Sequence, residues 1–196
     1  MLSSIHPLGE RTRNNKWPLT VAYYLIGGLL GGVTIGALAG AAGWLGLQWW
    51  SPTPASSAAA TAAILTIALV WDVSGLRIPT IHRQVNEDWL GMYRSWVYGG
   101  GFGFQLGLGV VTIVTTAATY AMVVLAGLAA SPVSGGIIGG VFGLVRALPI
   151  LTVGRIGSGE ALRTYHRRMQ ALAPRAEWFV RIGVVVAGMS TIGGLL

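Results

Sequence analysis

The chain has 196 residues, of which 53% are hydrophobic and only 10% charged, with 30 glycines, no cysteine and a net charge of +7; its mean hydropathy is +0.65. A soluble domain carries roughly a quarter charged residues, so this composition excludes a water-soluble enzyme, and the absence of thiols excludes disulfides, thiolate metal sites and dithiol relays. The basic residues form three short clusters between apolar runs, which points to anionic lipid rather than nucleic acid as their counterpart.

Apolar runs of about 20 residues, enough to cross a bilayer, recur along the chain and predict one all-α polytopic membrane domain over residues 1–196 with about five transmembrane helices. After a basic start at Arg11, Arg13 and Lys16, the first is expected at about 18–49. Gly28, Gly32, Gly36 and Gly40 repeat at every fourth position there and present one smooth helix face, suited to the close backbone approach by which helices associate in lipid. "ALAG" offers a signal-peptide cleavage pattern, but the apolar stretch before it is longer than a usual signal core, so the segment is read as a span.

The second span is expected at about 57–76. It carries Asp72, the one acid well inside an apolar segment. The third, about 96–130, again exceeds the length of a straight span, and both it and the first are expected to be kinked or broken. In the third, "GGGFGFQLGLG" places six glycines in 11 residues, among them the Gly99, Gly103 and Gly107 ridge, and predicts the break. Beyond it, Gln105, Thr112, Thr116 and Thr119 fall at spacings that share a helical face. That stripe either lines a polar pathway or satisfies its own hydroxyls on carbonyls one turn back.

The fourth span, about 135–154, has its own ridge at Gly135, Gly139 and Gly143, and it holds Arg146, the basic residue that lies inside an apolar run. A cation at membrane depth needs a partner or a wet cavity. Two readings stand: a structural ion pair with Asp72, or an anion or proton site. An amphipathic interfacial helix is expected at about 159–173, with Leu162, Tyr165, Met169 and Leu172 on one face and Arg163, Arg167 and Arg168 toward lipid headgroups, stopping at Pro174. A fifth span follows at about 177–196.

Twelve of the 13 basic residues fall on one side of this plan, which the positive-inside rule assigns to the cytoplasm. The chain is therefore expected in the inner membrane, amino terminus inside and carboxyl terminus outside, against an anionic inner leaflet. His6, His82 and His166 show no metal-type spacing and are read as solvated; neither a metal nor another cofactor is expected, and no catalytic constellation stands out.

"VAYYLIGGLLGGVTIGALAGAAG" and "GFGFQLGLGVVTIVTTAATYAMVVLAGLAASPVSGGIIGGVFGLVRALPILTVG" resemble the glycine- and alanine-zipped helices of the CcdA, DsbD and TauE/SafE-like (LysE-type) membrane proteins. The resemblance implies a compact helical membrane fold whose broken helices carry thiols or transported species. "VFGLVRALP" keeps the tail of the pattern, but Val110 to Thr112 stand where that group has a Pro-Cys pair, so thiol electron transfer does not carry over. The leading expectation is a small inner-membrane transporter, or transport component, for a small polar or anionic solute. The alternative is a non-catalytic membrane subunit whose glycine faces hold a partner membrane protein or a second copy.

Overall fold

A computed structural model describes residues 5–47, 53–80, 89–109, 114, 116–156 and 158–193. Those residues form helices and connecting turns, with no strand among them. A short α1 (Pro7–Thr12) precedes the long α2 (Trp17–Leu47), followed by α3 (Pro54–Ser74), the single turn α4 (Trp89–Met92), α5 (Ser95–Leu108), α6 (Ala118–Leu128), α7 (Pro132–Ala147) and α8 (Gly159–Gly193).

Local chemistry sets several of these ends. Thr53 and Ser131 each accept a hydrogen bond from the amide three residues on, and a proline follows each as the first helical residue. Proline is preorganised there and gives up an amide the helix does not use. The polar connections "SPTPASS" and "SPVS" are thus helix starts, and α3 and α7 begin three residues earlier than the apolar pattern suggests. At the far end of α7, Pro149 removes one amide from the ladder and the chain tightens into a 3₁₀ helix, Leu148–Arg155, which buries Ile150 and Val153. Gly75 closes α3 in the left-handed region, at φ +68.

The centre of the molecule is α2. Its two neighbours approach it backbone against backbone. A Cβ on Gly32 or Gly36 would strike the Gly139 or Gly135 carbonyl of the antiparallel α7, and one on Gly28 would strike the Ala147 methyl and crowd the Gly143 carbonyl. A Cβ on Gly135, Gly139 or Gly143 would strike the carbonyl of Gly36, Gly32 or Gly28 in return. On the adjoining side, Gly27 and Gly31 meet the Gly100 and Phe104 carbonyls of the parallel α5, while Gly99, Gly103 and Gly107 face Thr20, Tyr24 and Gly28. Lipid provides no hydrophobic drive between helices; what holds these three is dispersion between backbones that only glycine lets so close. With both faces covered, α2 runs without a break through its 31 residues, Trp17–Leu47.

The third segment is broken. α5 ends at Gly109, which adopts φ +72 and ψ −57, and a new helix, α6, starts at Ala118. α5 therefore accompanies α2 only to the level of Gly32, the midpoint of α2 and about 22 Å from either end.

The outer layer is α3, packed on α6 and α8. α8 departs from the expected interfacial helix followed by a separate span: it is one helix of 35 residues that passes through Pro174. The Gln170 carbonyl that loses its amide partner at this proline belongs to an exposed turn, where solvent or headgroups can meet it. Leu162 and Tyr165 pack on the core cluster of the bundle end, and Arg163, Arg167 and Arg168 are exposed. Leu172, placed on the apolar face by spacing, is 45% exposed.

Three helical stretches are long and apolar enough to cross a membrane: Trp17–Leu47, Pro54–Ser74 and Pro132–Gly154. Their outward faces carry residues such as Leu38, Ile67, Val133 and Ile137, which lie open at the surface, as a chain dissolved in lipid requires. The chain is a polytopic helical membrane protein. Neither half of the broken third segment reaches spanning length, and α8 mixes charged and apolar turns, so these two depart from the five-span plan.

Candidate functional site

The break between α5 and α6 exposes backbone groups at mid-depth, and residues distant in sequence satisfy them. The Ala117 amide, at the start of α6, donates to Asp72 Oδ1 at 2.7 Å. The Val114 amide donates to Thr80 Oγ1 at 2.8 Å, and the Tyr120 hydroxyl donates to the Pro79 carbonyl. The end of α3 and the extended residues after it therefore serve as the cap that α6 lacks in its own sequence.

This arrangement also explains an acid at the carboxyl end of α3, where the helix dipole disfavours negative charge. Asp72 faces the positive amino end of α6. The opposite need is met by Arg181 of α8, whose Nη2 donates to the Asp72 carbonyl at 2.9 Å and brings a cation to the end of α3. Asp72, Thr116 and Arg181 share the wall of a small polar cleft of about 140 Å³ with Trp71, Gly75 and Leu76.

Arg146 lies on the other side of the break. Its guanidinium carbon sits 5.8 Å from the centre of the Phe142 ring, one turn earlier on α7. A Cβ added to Gly109 would lie 3.4 Å from Arg146 Nη1, 3.2 Å from Phe142 and 3.0 Å from Thr119 Cγ2. The cation thus approaches the negative end of α5, and helix dipole and aromatic face together make it tolerable at that depth. It does not pair with Asp72. α3 and α7 each have other neighbours, and the Asp72 carboxylate is occupied by the Ala117 amide.

The polar stripe is divided by the same break. Gln105 belongs to α5, Thr116 to the turn beside Asp72, and Thr119 is buried in the first turn of α6 near Gly109 and Arg146; they do not share one helical face. Thr112 lies outside the described residues, as does His82. The structure therefore groups Arg146 with Thr119 at one end of the break, and Asp72 with Thr116 at the other.

A second cluster escaped the sequence reading altogether. Glu10, on α1, is fully buried. Its carboxylate accepts from Tyr98 Oη at 2.6–2.7 Å, Thr20 Oγ1 at 2.7 Å and Arg13 Nη1 at 3.1 Å, and Asn15 Nδ2 donates to the Tyr98 hydroxyl. His6, read as solvated, instead caps α1 by accepting from the Gly9 amide through Nδ1. The available signal was "HPLGER", a capped helix start with an acid among bases. With its oxygens already taken by donors, Glu10 ties α1 to α2 and α5.

Between α3 and α6 runs an apolar groove of about 450 Å³, lined by Ile67, Trp71, Tyr120 and Val124 among others. The described residues contain no grouping of His, Asp and Glu able to hold a metal.

No protein-family model matches the chain, and no solved structure does. It is similar to the methylamine utilization protein MauF of Methylobacillus flagellatus, 26% identical over 193 residues, 96% of this chain and 67% of that protein. The MauF of Methylophilus methylotrophus is 26% identical over 196 residues, covering 97% and 68%. That of Paracoccus versutus is 30% identical over 153 residues, 76% of this chain and 55% of its own length.

Proposed function

We propose that this chain is a non-catalytic membrane subunit of a methylamine-utilization system, a rigid helical scaffold that binds a partner membrane protein. The observation that carries this is the packing of α2. Its glycine faces meet α5 and α7 so closely that a single methyl group would strike backbone, which leaves no space for a solute between the three helices. The cavities described above lie on the flanks instead. Similarity to MauF proteins over nearly the whole chain supplies the process.

On this reading the groove between α3 and α6 receives an apolar helix of the partner. α3 buries only Leu65 and Ala68 within the chain, and Ile67, Val70 and Trp71 stand exposed beside it. The chain sits in the inner membrane with its amino terminus cytoplasmic, and Arg163, Arg167 and Arg168 face anionic headgroups.

Transport of a small polar or anionic solute through the break is the second reading, favoured by the two half-helix ends with Asp72 and Arg146 beside them. Two measurements on one preparation separate the readings. The scaffold predicts stoichiometric co-purification of another membrane protein from native membranes and no solute flux in liposomes. Flux that is lost on Arg146→Gln or Gln105→Ala, with no co-purifying protein, would overturn it.

A further inference from the structure

Asp72 lies at the level of the middle of α2. Gly107 of α5 meets α2 at Gly28 and Gly32, and a Cβ on Gly109 would lie 3.0 Å from Thr119 Cγ2. The Ala117 amide, two residues before Thr119, donates to Asp72 Oδ1 at 2.7 Å. That level is about 22 Å from either end of α2, the farthest along this helix from headgroups and water.

Two charged side chains are nonetheless left open there. Asp72 Oδ1 is taken by the Ala117 amide, and Arg181 donates through Nη2 to the Asp72 carbonyl, not to its carboxylate. Asp72 Oδ2 and the other guanidinium N–H groups have no partner among the described residues, and none of these atoms is enclosed. Both residues, with Thr116, line the polar cleft of about 140 Å³. Lipid tails offer a carboxylate no donor and a guanidinium no acceptor, and charged groups at such a depth are paired or wet.

The polar cleft adjoins the apolar groove between α3 and α6, since Trp71 and Ile78 line both. A helix lying in the groove therefore passes the open oxygen and N–H groups. The cleft holds one charge of each sign, so a charged side chain entering it would meet one favourable and one unfavourable neighbour, whereas a neutral one with a donor and an acceptor matches both. A carboxamide has that pairing: its NH₂ donates to Asp72 Oδ2 and its C=O accepts from Arg181. We infer, resting on the scaffold reading, that the partner helix received by the groove carries Asn or Gln near its midpoint and that this amide docks between Asp72 and Arg181.

Förster transfer from the labelled chain, reconstituted in phosphatidylcholine vesicles, to labelled synthetic spanning helices of leucine and alanine tests this. The helix with one Asn at its centre is expected to bind about threefold to tenfold more tightly than the same helix without it. It also binds more tightly than a helix whose Asn lies two turns nearer an end. Asp72→Asn keeps an acceptor for the Ala117 amide but puts a donor in place of Oδ2; this variant and Arg181→Gln are each expected to erase the preference. Val124→Trp, at an exposed position in the groove wall, weakens all the helices alike. Equal binding of the Asn and leucine helices, both weakened by Val124→Trp, overturns the inference and leaves the groove as a docking site. Tighter binding of a helix with a central Lys or Asp overturns it as well. Binding by none of the helices overturns the groove reading with it. Should Arg181→Gln fail to fold, Asp72→Asn and the dependence on the position of Asn along the helix decide.

Discussion

The hydroxyl of Tyr98 lies 2.7 and 2.6 Å from the two carboxylate oxygens of Glu10, across 88 residues of sequence, and both side chains are fully buried. A single phenolic proton is shared between the two oxygens, and Thr20 and Arg13 supply the remaining donors. One interaction therefore fixes both the short amino-terminal helix and the start of α5 against α2.

Tyr98→Phe removes the central donor and leaves a buried carboxylate undersatisfied, a loss of about 1.5–3 kcal/mol for a hydrogen bond to a charged group. Thermal unfolding in detergent should show the drop. Combined with Glu10→Gln, the two losses should fall short of their sum by at least about 0.5 kcal/mol. Additive losses would mean that the pair is not coupled.

The glycine seam predicts a contrast within one helix. Gly32→Ala drives a methyl into the Gly139 backbone, an overpacking that costs about 1–3 kcal/mol or more, because carbonyl groups cannot rotate aside as side chains do. Gly46→Ala meets nothing within 4 Å and should be neutral, or stabilising by up to about 1 kcal/mol through helix propensity. Equal melting temperatures for the two variants would refute the packing argument.

Asp72 acts as a cap for a helix in another part of the chain. Asp72→Asn keeps an acceptor and loses the charge, for about 0.3–1 kcal/mol, whereas Asp72→Ala loses both, for about 0.5–2 kcal/mol. The same cycle tests its separation from Arg146: Asp72→Asn and Arg146→Gln should add to within about 0.5 kcal/mol. Rescue of one by the other would restore the ion pair that the geometry rejects.

Gly109 combines a backbone conformation closed to most side chains with close neighbours on α6 and α7. Gly109→Ala should lower stability by about 1–3 kcal/mol. It should also shift the environment of Phe142, readable as a change in the aromatic NMR signal of that ring. An unshifted Phe142 signal together with an unchanged melting temperature would show that the break does not depend on this residue.

Composition alone was enough to place the chain in a membrane, because a polypeptide with 10% charged residues cannot meet water over its surface. Glycine spacing marked the faces of α2, α5 and α7, since a four-residue repeat maps onto one side of any helix, and the density of glycine before Val110 marked the break. Helix starts were less legible. "SPTPASS" and "SPVS" look like loops until serine, threonine and proline are placed in the cap positions they occupy here.

The polar residues were the least legible. Arg146 and Asp72 were each visible as anomalies, yet their partners depend on where helix ends lie in space. Asp72 found the amino end of α6, and Arg146 found Phe142 and the carboxyl end of α5. Glu10 drew no notice in the sequence, because its partners Thr20 and Tyr98 reach it only once α1 packs against α2 and α5.

Sequence by itself determined that this protein is helical, membrane-dissolved, glycine-seamed and interrupted in its third apolar segment, since each of these properties follows from hydropathy and local backbone chemistry. Tertiary structure alone decided which ridge meets which, that α2 is the shared centre, and which groups quiet the charges at the break. Those outcomes belong to pairs of surfaces. A helix face or a charge has no partner until the chain has brought a second one within reach.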